Sequence, residues 1–535
     1  MKIKKMLAVL LTVAMSVGCL AACGQESNNP VSEESKSSEV SKAEASQESE
    51  KEVVEEKHED VTLHYYIAGF ADQKDADKVY AEANELIQTI YPWISVEFHV
   101  SNQADYSTHF ALAQTSGDPI DIIGTFGTNY QSEMSNGSYM DITEYLADYP
   151  DLMTALPEFA YGWGEKEGRT FGFPNWQQCN YANQSIVVDK EIADQYGLDV
   201  DKVNELIQKE EFFNPEVYEL IGEFFAKAYA DGAKNLILTP NASLSIQTRS
   251  YESVIGPIYF AINDESCKLL NIWETDQVKD YLEAMKEYKE AGYIPEDLGT
   301  SDAYKPENIK KNGLYALQIG GNAYVPNFPD LRKKNWDRDL YFFQTMLSEE
   351  EYYIGFSYAA GITAVGATSE HPEDALRVIE LLYTNEELQN MLVYGLEGQH
   401  YTKNADGTIH TLEYDSGQAN AESSYGMYKF SIGNSGLTWI NQSFDEKMYN
   451  WAFKEMPEKA KPSNLIGFAI DTSVVSAQLG QINAIVKEYS QQLLHMTCED
   501  WEATYAEFLG KLESAGIDSV IAELQKQVDT FLATK

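Results

Sequence analysis

The chain has 535 residues and a formal net charge of −46, because 85 Asp and Glu stand against 39 Lys and Arg. A surface this acidic repels nucleic acid and anionic lipid headgroups, so the composition excludes nucleic-acid binding and favours a neutral or cationic ligand. The length predicts two or three domains or lobes.

The first 23 residues predict a secretory signal. A basic start, Lys2 to Lys5, precedes an apolar run, Met6 to Val17, that is too short to remain as a membrane-spanning helix. The tetrapeptide Leu20-Ala21-Ala22-Cys23 follows and resembles a bacterial lipobox, in which the Cys thiol receives a diacylglycerol and becomes the mature amino terminus. We therefore expect Cys23 to be lipidated and to anchor the protein on the extracellular face of the cell membrane. The alternative is an ordinary cleaved signal with an incidental Cys.

Residues 24–60 predict a disordered tether. They contain 12 Asp and Glu and 4 Lys among Ser, Asn and Gln, with almost no apolar side chains. Such a composition cannot offset the conformational entropy that is lost on ordering. The folded part is therefore expected to begin near Val61.

Strand and helix patterns alternate directly after the tether. Period-two or short apolar runs predict strands, and a 3.6-residue period predicts helices, in the order Val61–Ile67, Lys74–Tyr91, Ile94–Val100, Ala104–Thr115 and Pro119–Ile123. This order predicts a parallel α/β sheet, in which ligands bind beyond the carboxyl ends of the strands. Helical patterns dominate the rest of the chain and are nearly continuous at its carboxyl-terminal end.

Several segments resemble one family. The segment Ser357 to Lys403, SYAAGITAVGATSEHPEDALRVIELLYTNEELQNMLVYGLEGQHYTK, is similar to the hinge-and-helix segment of ABC-transporter solute-binding proteins. The segment Gly168–Pro174 (GRTFGFP) resembles the first crossing between their two lobes. The run Tyr394 to Tyr401 (YGLEGQHY) and the tail, from Gly467 to Gln527, resemble the LplA-like sugar-binding lipoproteins of Gram-positive bacteria.

This resemblance implies an architecture and a function. The fold would be α/β, a two-lobed periplasmic-binding-protein fold (type II-like) with a helical carboxyl-terminal extension. Lobe 1 would comprise residues 61–172 and 313–366, and lobe 2 residues 173–312 and 367–535, with hinge crossings near Phe173–Asn175 and Gly361–Gly366. The protein would be a monomer that captures a carbohydrate ligand, an oligosaccharide, between the lobes and delivers it to the membrane subunits of an ABC permease.

Candidate ligand residues follow from the chemistry of sugar sites, where aromatic faces cover the apolar side of a sugar ring and amides or carboxylates bond its hydroxyls. Trp176 is the leading candidate because it follows the first crossing and has Gln177 and Gln178 beside it. Its alternative role is packing at the hinge. The other candidates end a strand or lie in loops expected near the cleft, and loop packing is their alternative: Tyr66, Phe70, Phe126, Tyr130, Tyr259, Tyr324, Tyr358 and Trp439.

The sequence predicts no catalytic residue, no metal and no cofactor. It contains no G-x-S-x-G, H-E-x-x-H or phosphate-loop pattern, and its eight His form no H-x-x-x-H pair. Cys179, Cys267 and Cys498 are widely spaced, which favours buried thiols but leaves one disulfide open. Two other functions stay open: a surface carbohydrate-active enzyme (a glycoside hydrolase or lyase), and a ligand-sensing lipoprotein without a transport role.

Overall fold

The computed structural model describes residues 58–125, 127, 129–177, 184–209, 215–240, 251–322, 339–344, 352–356, 359, 361–414, 419–442, 449–450, 453–454 and 456–535. These residues belong to one unit, His58–Lys535, which has its own hydrophobic core. The predicted signal, Cys23 and the tether up to residue 57 lie outside the described residues. So do Cys179 and four candidate ligand residues: Gln178, Phe126, Tyr324 and Tyr358.

The first sheet combines the amino-terminal strands with two later ones. Its order is β2-β1-β3-β15-β6, where β1 is Val61–Gly69, β2 Ile94–Asn102, β3 Ile122–Gly124, β6 Phe173–Pro174 and β15 Ile362–Val365. β1 runs parallel to β2 and β3, whereas β15 runs antiparallel to β3 and β6. The helices of this region are α1 Ala76–Ile90, α2 Tyr106–Ser116 and α3 Asn129–Ser135. The predicted parallel α/β start of the folded part is confirmed.

α1 shows why these segments form the elements they do. Its buried side chains, Val79, Ala83 and Ile87, recur every four residues and therefore occupy one face of the helix. Along β1 the first residues alternate between buried and partly exposed positions, with Leu63, Tyr65 and Ile67 inaccessible to solvent. The two periodicities visible in the sequence thus bury one helix face against the sheet.

The second sheet has the order β13-β7-β12-β8, where β7 is Gln184–Asp189, β8 Leu236–Pro240, β12 Tyr315–Asn322 and β13 Leu340–Gln344. β8 and β12 are parallel, and β7 is antiparallel to both of its neighbours. The helices that lie between these strands along the chain are α4 Lys190–Tyr196, α5 Val200–Lys209, α6 Pro215–Ala230, α7 Asp276–Glu290 and α8 Pro306–Ile309.

A small third sheet has the order β11-β10-β9, with β9 Tyr251–Ile255, β10 Ile258–Ala261 and β11 Leu269–Asn271. Paired short strands complete the described β structure: β4 Glu165–Lys166 with β5 Arg169–Thr170, β14 Tyr352–Ile354 with β18 Ala460–Pro462, and β16 Tyr401–Lys403 with β17 Ile409–Thr411. The later helices are α9 Pro372–Thr384, α10 Glu386–Tyr394, α11 Met456–Lys459, α12 Ser476–Leu494, α13 Trp501–Ser514 and α14 Ile517–Thr534.

The later helices form two groups that pack against different parts of the unit. α9 packs on β15, and α10 packs on α1, so both belong with the first sheet. α12, α13 and α14 pack together and lie against α7 and β11. The Phe508 ring of α13 meets Trp273 edge-on at 4.9 Å between ring centroids, and Gln525 of α14 accepts a 2.7 Å hydrogen bond from Leu269 N. The helical extension therefore packs on α7 and on β11 of the third sheet.

Strand pairing differs from the predicted lobe boundaries in two places. Residues 313–366 were expected in lobe 1, but β12 and β13 lie in the second sheet, and among the described strands of this range β15 alone joins the first. Residues 367–535 were expected in lobe 2, but α9 and α10 pack beside the first sheet. Both differences arise from pairings between distant segments, which local patterns cannot reveal. The assignment of the remaining residues to lobes stays a prediction.

The described helices include none that is long and apolar enough to cross a membrane. Cys267 is a free, buried thiol, and burial raises its pKa to about 12. Cys498 is a free, partly buried thiol.

Candidate ligand-binding site

The two predicted hinge crossings lie side by side. β6 pairs with β15, and Asn175 N donates to Gly361 O over 2.9 Å. The Asn175 side chain is 1% exposed, donates from Nδ2 to Thr125 O (3.0 Å) and accepts from Thr363 Oγ1 (2.6 Å). We name Thr125, Asn175, Gly361 and Thr363 the crossing cluster. It ties both crossings to the end of β3.

Gly361 is required by this close approach. A Cβ added at Gly361 would lie 2.0 Å from Thr125 O, far inside van der Waals contact. The two backbones can therefore be neighbours only because position 361 has no side chain.

A later segment, Met427 to Ser435, crosses the carboxyl ends of the first sheet. A Cβ added at Gly69, the last residue of β1, would lie 2.6 Å from Met427 Sδ, and one added at Gly124, the last residue of β3, would lie 3.2 Å from Ser431 O. Further along, Gly433 O accepts a 2.8 Å hydrogen bond from Trp176 N. The segment thus runs from the end of β1 to the first crossing, over the edge where ligands bind in parallel α/β sheets.

Three aromatic rings gather on this segment. The Phe70 ring, just beyond β1, lies 4.2 Å from the Tyr428 ring between centroids, and Tyr428 lies 6.1 Å from Phe430 with an interplanar angle of 19°. Tyr428 and Phe430 are only partly buried, whereas the Phe70 side chain is buried, with 9% exposure. We name Phe70, Tyr428 and Phe430 the aromatic surface. Its rings are of the kind that cover the apolar faces of sugars.

Lys429 lies between the partly buried Tyr428 and Phe430 in sequence but is itself buried, with 8% exposure. Its ammonium group is 5.8 Å from the centroid of the Phe453 ring. Burial disfavours the charged form and lowers the pKa of Lys429 to about 8. The two aromatic side chains, Tyr428 and Phe430, therefore lie together on the accessible side of the segment. The Lys429 side chain between them points into the protein.

Trp176 is positioned by its backbone on both sides. Trp176 N donates to Gly433 O, and Trp176 O accepts from Ser435 N over 3.0 Å and from the Ser435 hydroxyl. The side chain is 4% exposed, and its ring lies 6.2 Å from that of Phe159. Trp176 lies directly after the first crossing and is bonded to the segment Met427 to Ser435, but the burial of its side chain favours a packing role. Its part in ligand binding stays a prediction.

The other described candidates are dispersed. Phe70 alone joins the aromatic surface. Tyr66 stacks on His99 at 4.5 Å between ring centroids, on the side of β1 away from the core. Tyr130, 2% exposed, and Tyr259, in β10 of the third sheet, are buried, and burial raises the pKa of both phenols.

Trp439 is held by its neighbours on a partly exposed surface. Its indole N–H donates to Glu386 Oε1, the Lys403 ammonium lies 4.0 Å from its ring centroid, and the Tyr401 ring lies at 5.5 Å. These contacts fix the ring without aiming it at the aromatic surface. Tyr428 and Phe430, which sequence reasoning missed, carry only a weak signal, an aromatic residue on either side of a lysine.

The chain is similar in sequence to a family model and to a streptococcal protein. Residues 464–533, which include α12, α13 and all but the last residue of α14, match a family model described as a domain of unknown function, DUF3502. The carbohydrate ABC transporter substrate-binding protein of Streptococcus pneumoniae serotype 4 (strain ATCC BAA-334 / TIGR4) is 24% identical over 469 residues, which cover 86% of this chain and 89% of that protein.

Solved structures show the same architecture. The N-glycan transport solute binding protein NgtS from Streptococcus pneumoniae superposes with a TM-score of 0.66 at 21% identity, covering 88% of this chain and 99% of that one. Its complex with Man5GlcNAc superposes with a TM-score of 0.53 at 20% identity, covering 89% and 99%.

The predicted fold class is confirmed. The chain has the two-lobed α/β fold of the solute-binding proteins of ABC transporters, and the predicted resemblance to them is confirmed with it. Among solved structures it is similar to NgtS. The LplA-like subtype stays a prediction.

Proposed function

We propose that this protein is an extracellular, lipid-anchored solute-binding protein that captures an oligosaccharide between its two lobes and delivers it to an ABC importer. It acts as a monomer and catalyses no reaction. The two lobes close over the ligand by bending at the crossing cluster, and the closed form docks on the membrane subunits of a permease.

The aromatic surface is the observation that carries this proposal. Phe70, Tyr428 and Phe430 lie at the carboxyl ends of the first sheet's strands, and the segment that holds two of them leads into the first crossing. A ligand stacked there would be near the point about which the lobes bend. Closure would bring the second lobe onto such a ligand, and only a ligand that favours the closed state can shift the equilibrium towards it.

The class of ligand is supported by charge and by the relatives. A net charge of −46 disfavours polyanions, whereas a neutral glycan meets no electrostatic repulsion. The streptococcal relative is named as a carbohydrate ABC transporter substrate-binding protein, and NgtS has been solved with Man5GlcNAc. An oligosaccharide long enough to span several aromatic rings therefore fits this site better than a peptide or a polyamine.

The test is a binding titration of the purified protein across neutral glycans of plant and host origin, peptides and polyamines, followed by tryptophan fluorescence and calorimetry. We expect saturable one-site binding of an oligosaccharide. Chromatography of the same mixture, at equimolar protein, should recover the glycan intact. A response confined to a peptide or a polyamine would overturn the ligand class, and cleaved glycan would overturn the binding-protein assignment in favour of an enzyme.

The anchor has its own test. The lipobox predicts that Cys23→Ser abolishes labelling by a radioactive fatty acid and releases the protein into detergent-free fractions. The acyl chains of a bacterial lipoprotein hold it firmly, because each buried CH₂ group contributes about 0.8 kcal/mol. Labelling that persists in Cys23→Ser would show that the anchor lies elsewhere.

A further inference from the structure

Three potential metal ligands meet on the exposed side of β1 and β2. His64 Nδ1 lies 3.0 Å from His99 Nε2, and the Glu97 carboxylate lies 3.8 Å from His64 Nδ1 and 3.6 Å from His99 Nε2. All three ligand atoms lie within 4.8 Å of one another. Both rings are partly exposed, with side-chain exposures of 22% and 30%, so an ion could reach them from solvent.

Strand register explains why they meet. β1 and β2 are parallel, with His64 opposite Glu97 and Tyr66 opposite His99. Because side chains alternate along a strand, positions 64 and 66 share a face with positions 97 and 99. The Tyr66 ring stacks on His99, and His64 N donates to Asp121 Oδ2 over 2.9 Å. The ligand set is therefore built on two paired strands and steadied by its neighbours.

The spacing suits a tetrahedral ion. Two ligands about 2.05 Å from a tetrahedral Zn²⁺ lie about 3.3 Å apart, close to the 3.0 Å between the two imidazole nitrogens. Glu97 faces them with different oxygens, Oε2 at 3.8 Å from His64 and Oε1 at 3.6 Å from His99, so rotation of this exposed side chain would present one oxygen to the ion. Two imidazoles and one carboxylate are a donor set that suits Zn²⁺ and neighbouring first-row ions, whereas Ca²⁺ and Mg²⁺ require mainly oxygen. We propose that His64, Glu97 and His99 bind a divalent transition-metal ion of the Zn²⁺ class.

Of the three ligands, His64 also lines a cavity of about 510 Å³ whose wall includes Asp118, Asp121, Glu370 and His371. The carboxylates of this wall would attract a cation towards His64, and a water molecule would complete the coordination. His64 lies six residues before Phe70 along β1, which corresponds to about 20 Å, so the metal site is separate from the aromatic surface. A bound ion would fasten the edge strand β2 to β1.

The proposed metal site departs from a sequence-based expectation. The absence of an H-x-x-x-H pair predicted no zinc site, but that spacing describes ligands on one helix. Here the two histidines are 35 positions apart and are brought together by strand pairing.

The test is calorimetric titration of the purified protein with zinc chloride, alongside melting temperatures with and without zinc. We expect one equivalent to bind and the melting temperature to rise. His99→Gln and, separately, the exposed Glu97→Gln should each weaken zinc binding at least tenfold. The matched control is His410→Gln in β17, whose ring contacts Gln442 and not this cluster; it should bind zinc as the wild type does.

Cobalt provides an independent readout. Co²⁺ bound by two imidazoles, a carboxylate and water should give the intense visible d–d absorption of a tetrahedral site in the wild type and in His410→Gln, whereas His99→Gln should show only the weak absorption of hydrated Co²⁺. Equal zinc affinity in the wild type and His99→Gln, or calcium binding that matches zinc, would overturn the proposal. Because oligosaccharide binding is measured separately, a failure here leaves the proposed function intact.

Discussion

Tyr428 and Phe430 are the two partly buried rings of the aromatic surface, and they give the sharpest test of the site. We expect Tyr428→Ala to weaken oligosaccharide binding by roughly 1–3 kcal/mol, the scale on which a large aromatic side chain stabilises a bound ligand. Calorimetric titration with the best glycan of the panel measures this. Tyr304→Ala, at another partly buried tyrosine, whose hydroxyl bonds to Asp297, is the matched control and should bind normally. Equal affinity in the two variants would remove Tyr428 from the site.

Trp176 tests the competing role of a buried aromatic at the crossing. Because its side chain is 4% exposed and its ring is near Phe159, we expect Trp176→Ala to lower the free energy of unfolding by about 3–5 kcal/mol. If Trp176 only packs at the crossing, the affinity of the folded fraction should change little. Trp176→Phe keeps most of the volume and should recover much of the stability. Normal stability with a large drop in affinity would instead establish Trp176 as a ligand residue.

At the residue scale, the sequence identifies candidate ligand residues only where their position relative to a strand end can be predicted. The chain contains 35 Tyr, 22 Phe and 8 Trp, and residue type alone cannot separate a ligand contact from core packing. Phe70 was predicted because it follows a strand whose carboxyl end is visible in the sequence. Tyr428 and Phe430 were missed because their segment reaches that edge only through tertiary contacts, such as the approach of Met427 to Gly69.

At the scale of elements, the crossing cluster is a single hydrogen-bonded joint. Removing the Asn175 side chain would leave Thr125 O and the Thr363 hydroxyl buried without these partners. We therefore expect Asn175→Ala to lower the free energy of unfolding by about 2–4 kcal/mol, measured by urea unfolding. Thr363→Ser, the control, keeps the hydroxyl, removes one methyl group and should cost about 1 kcal/mol. If Asn175→Ala lowered the free energy of unfolding less than Thr363→Ser does, the Asn175 hydrogen bonds would not be what holds the crossings together.

Element types were predictable where the periodicity was long and regular. α1 and β1 begin and end within two residues of their predicted bounds, because one buried face repeats through each of them. β6, two residues long, had no such signal and was recognised only as a crossing, through its resemblance. The pairing of β12 with β8 depends on segments far apart in sequence, so no local pattern could place β12 in the second sheet.

At the scale of the whole molecule, the sequence predicted two lobes from a family resemblance and not from the energetics of its segments. The sheet order shows why. The first sheet contains the two strands at the crossings, β6 and β15, whereas the described strands of the second sheet, β7, β8, β12 and β13, all lie between the crossings. The boundary between the two sheets is therefore set by the pairing of β6 with β15, which are far apart in sequence. A bend at the crossing cluster would therefore move several separate segments together, as ligand-driven closure requires.

The pH dependence of stability gives a final test on the whole fold. Glu133 in α3 is partly buried and accepts a 2.8 Å hydrogen bond from the Tyr139 hydroxyl, and desolvation raises the pKa of Glu133 from 4.5 to about 7. Because this folded-state pKa lies above the unfolded value, the folded protein binds more protons between these values. The contribution of Glu133 is thus present below about pH 4.5 and is lost as the pH rises through 7, by at most about 3 kcal/mol.

Glu133→Gln removes this titration while keeping an acceptor for Tyr139. Urea unfolding at pH 5 and pH 8 should therefore show that the variant loses less stability than the wild type as the pH rises. The chain has 85 Asp and Glu, whose combined titration would otherwise dominate the pH dependence of stability. Comparing the variant with the wild type cancels the contribution of the other carboxylates. Glu144→Gln, at an exposed position, is the control and should follow the wild-type curve. Parallel pH curves for the wild type and Glu133→Gln would show that Glu133 is solvated in the folded state.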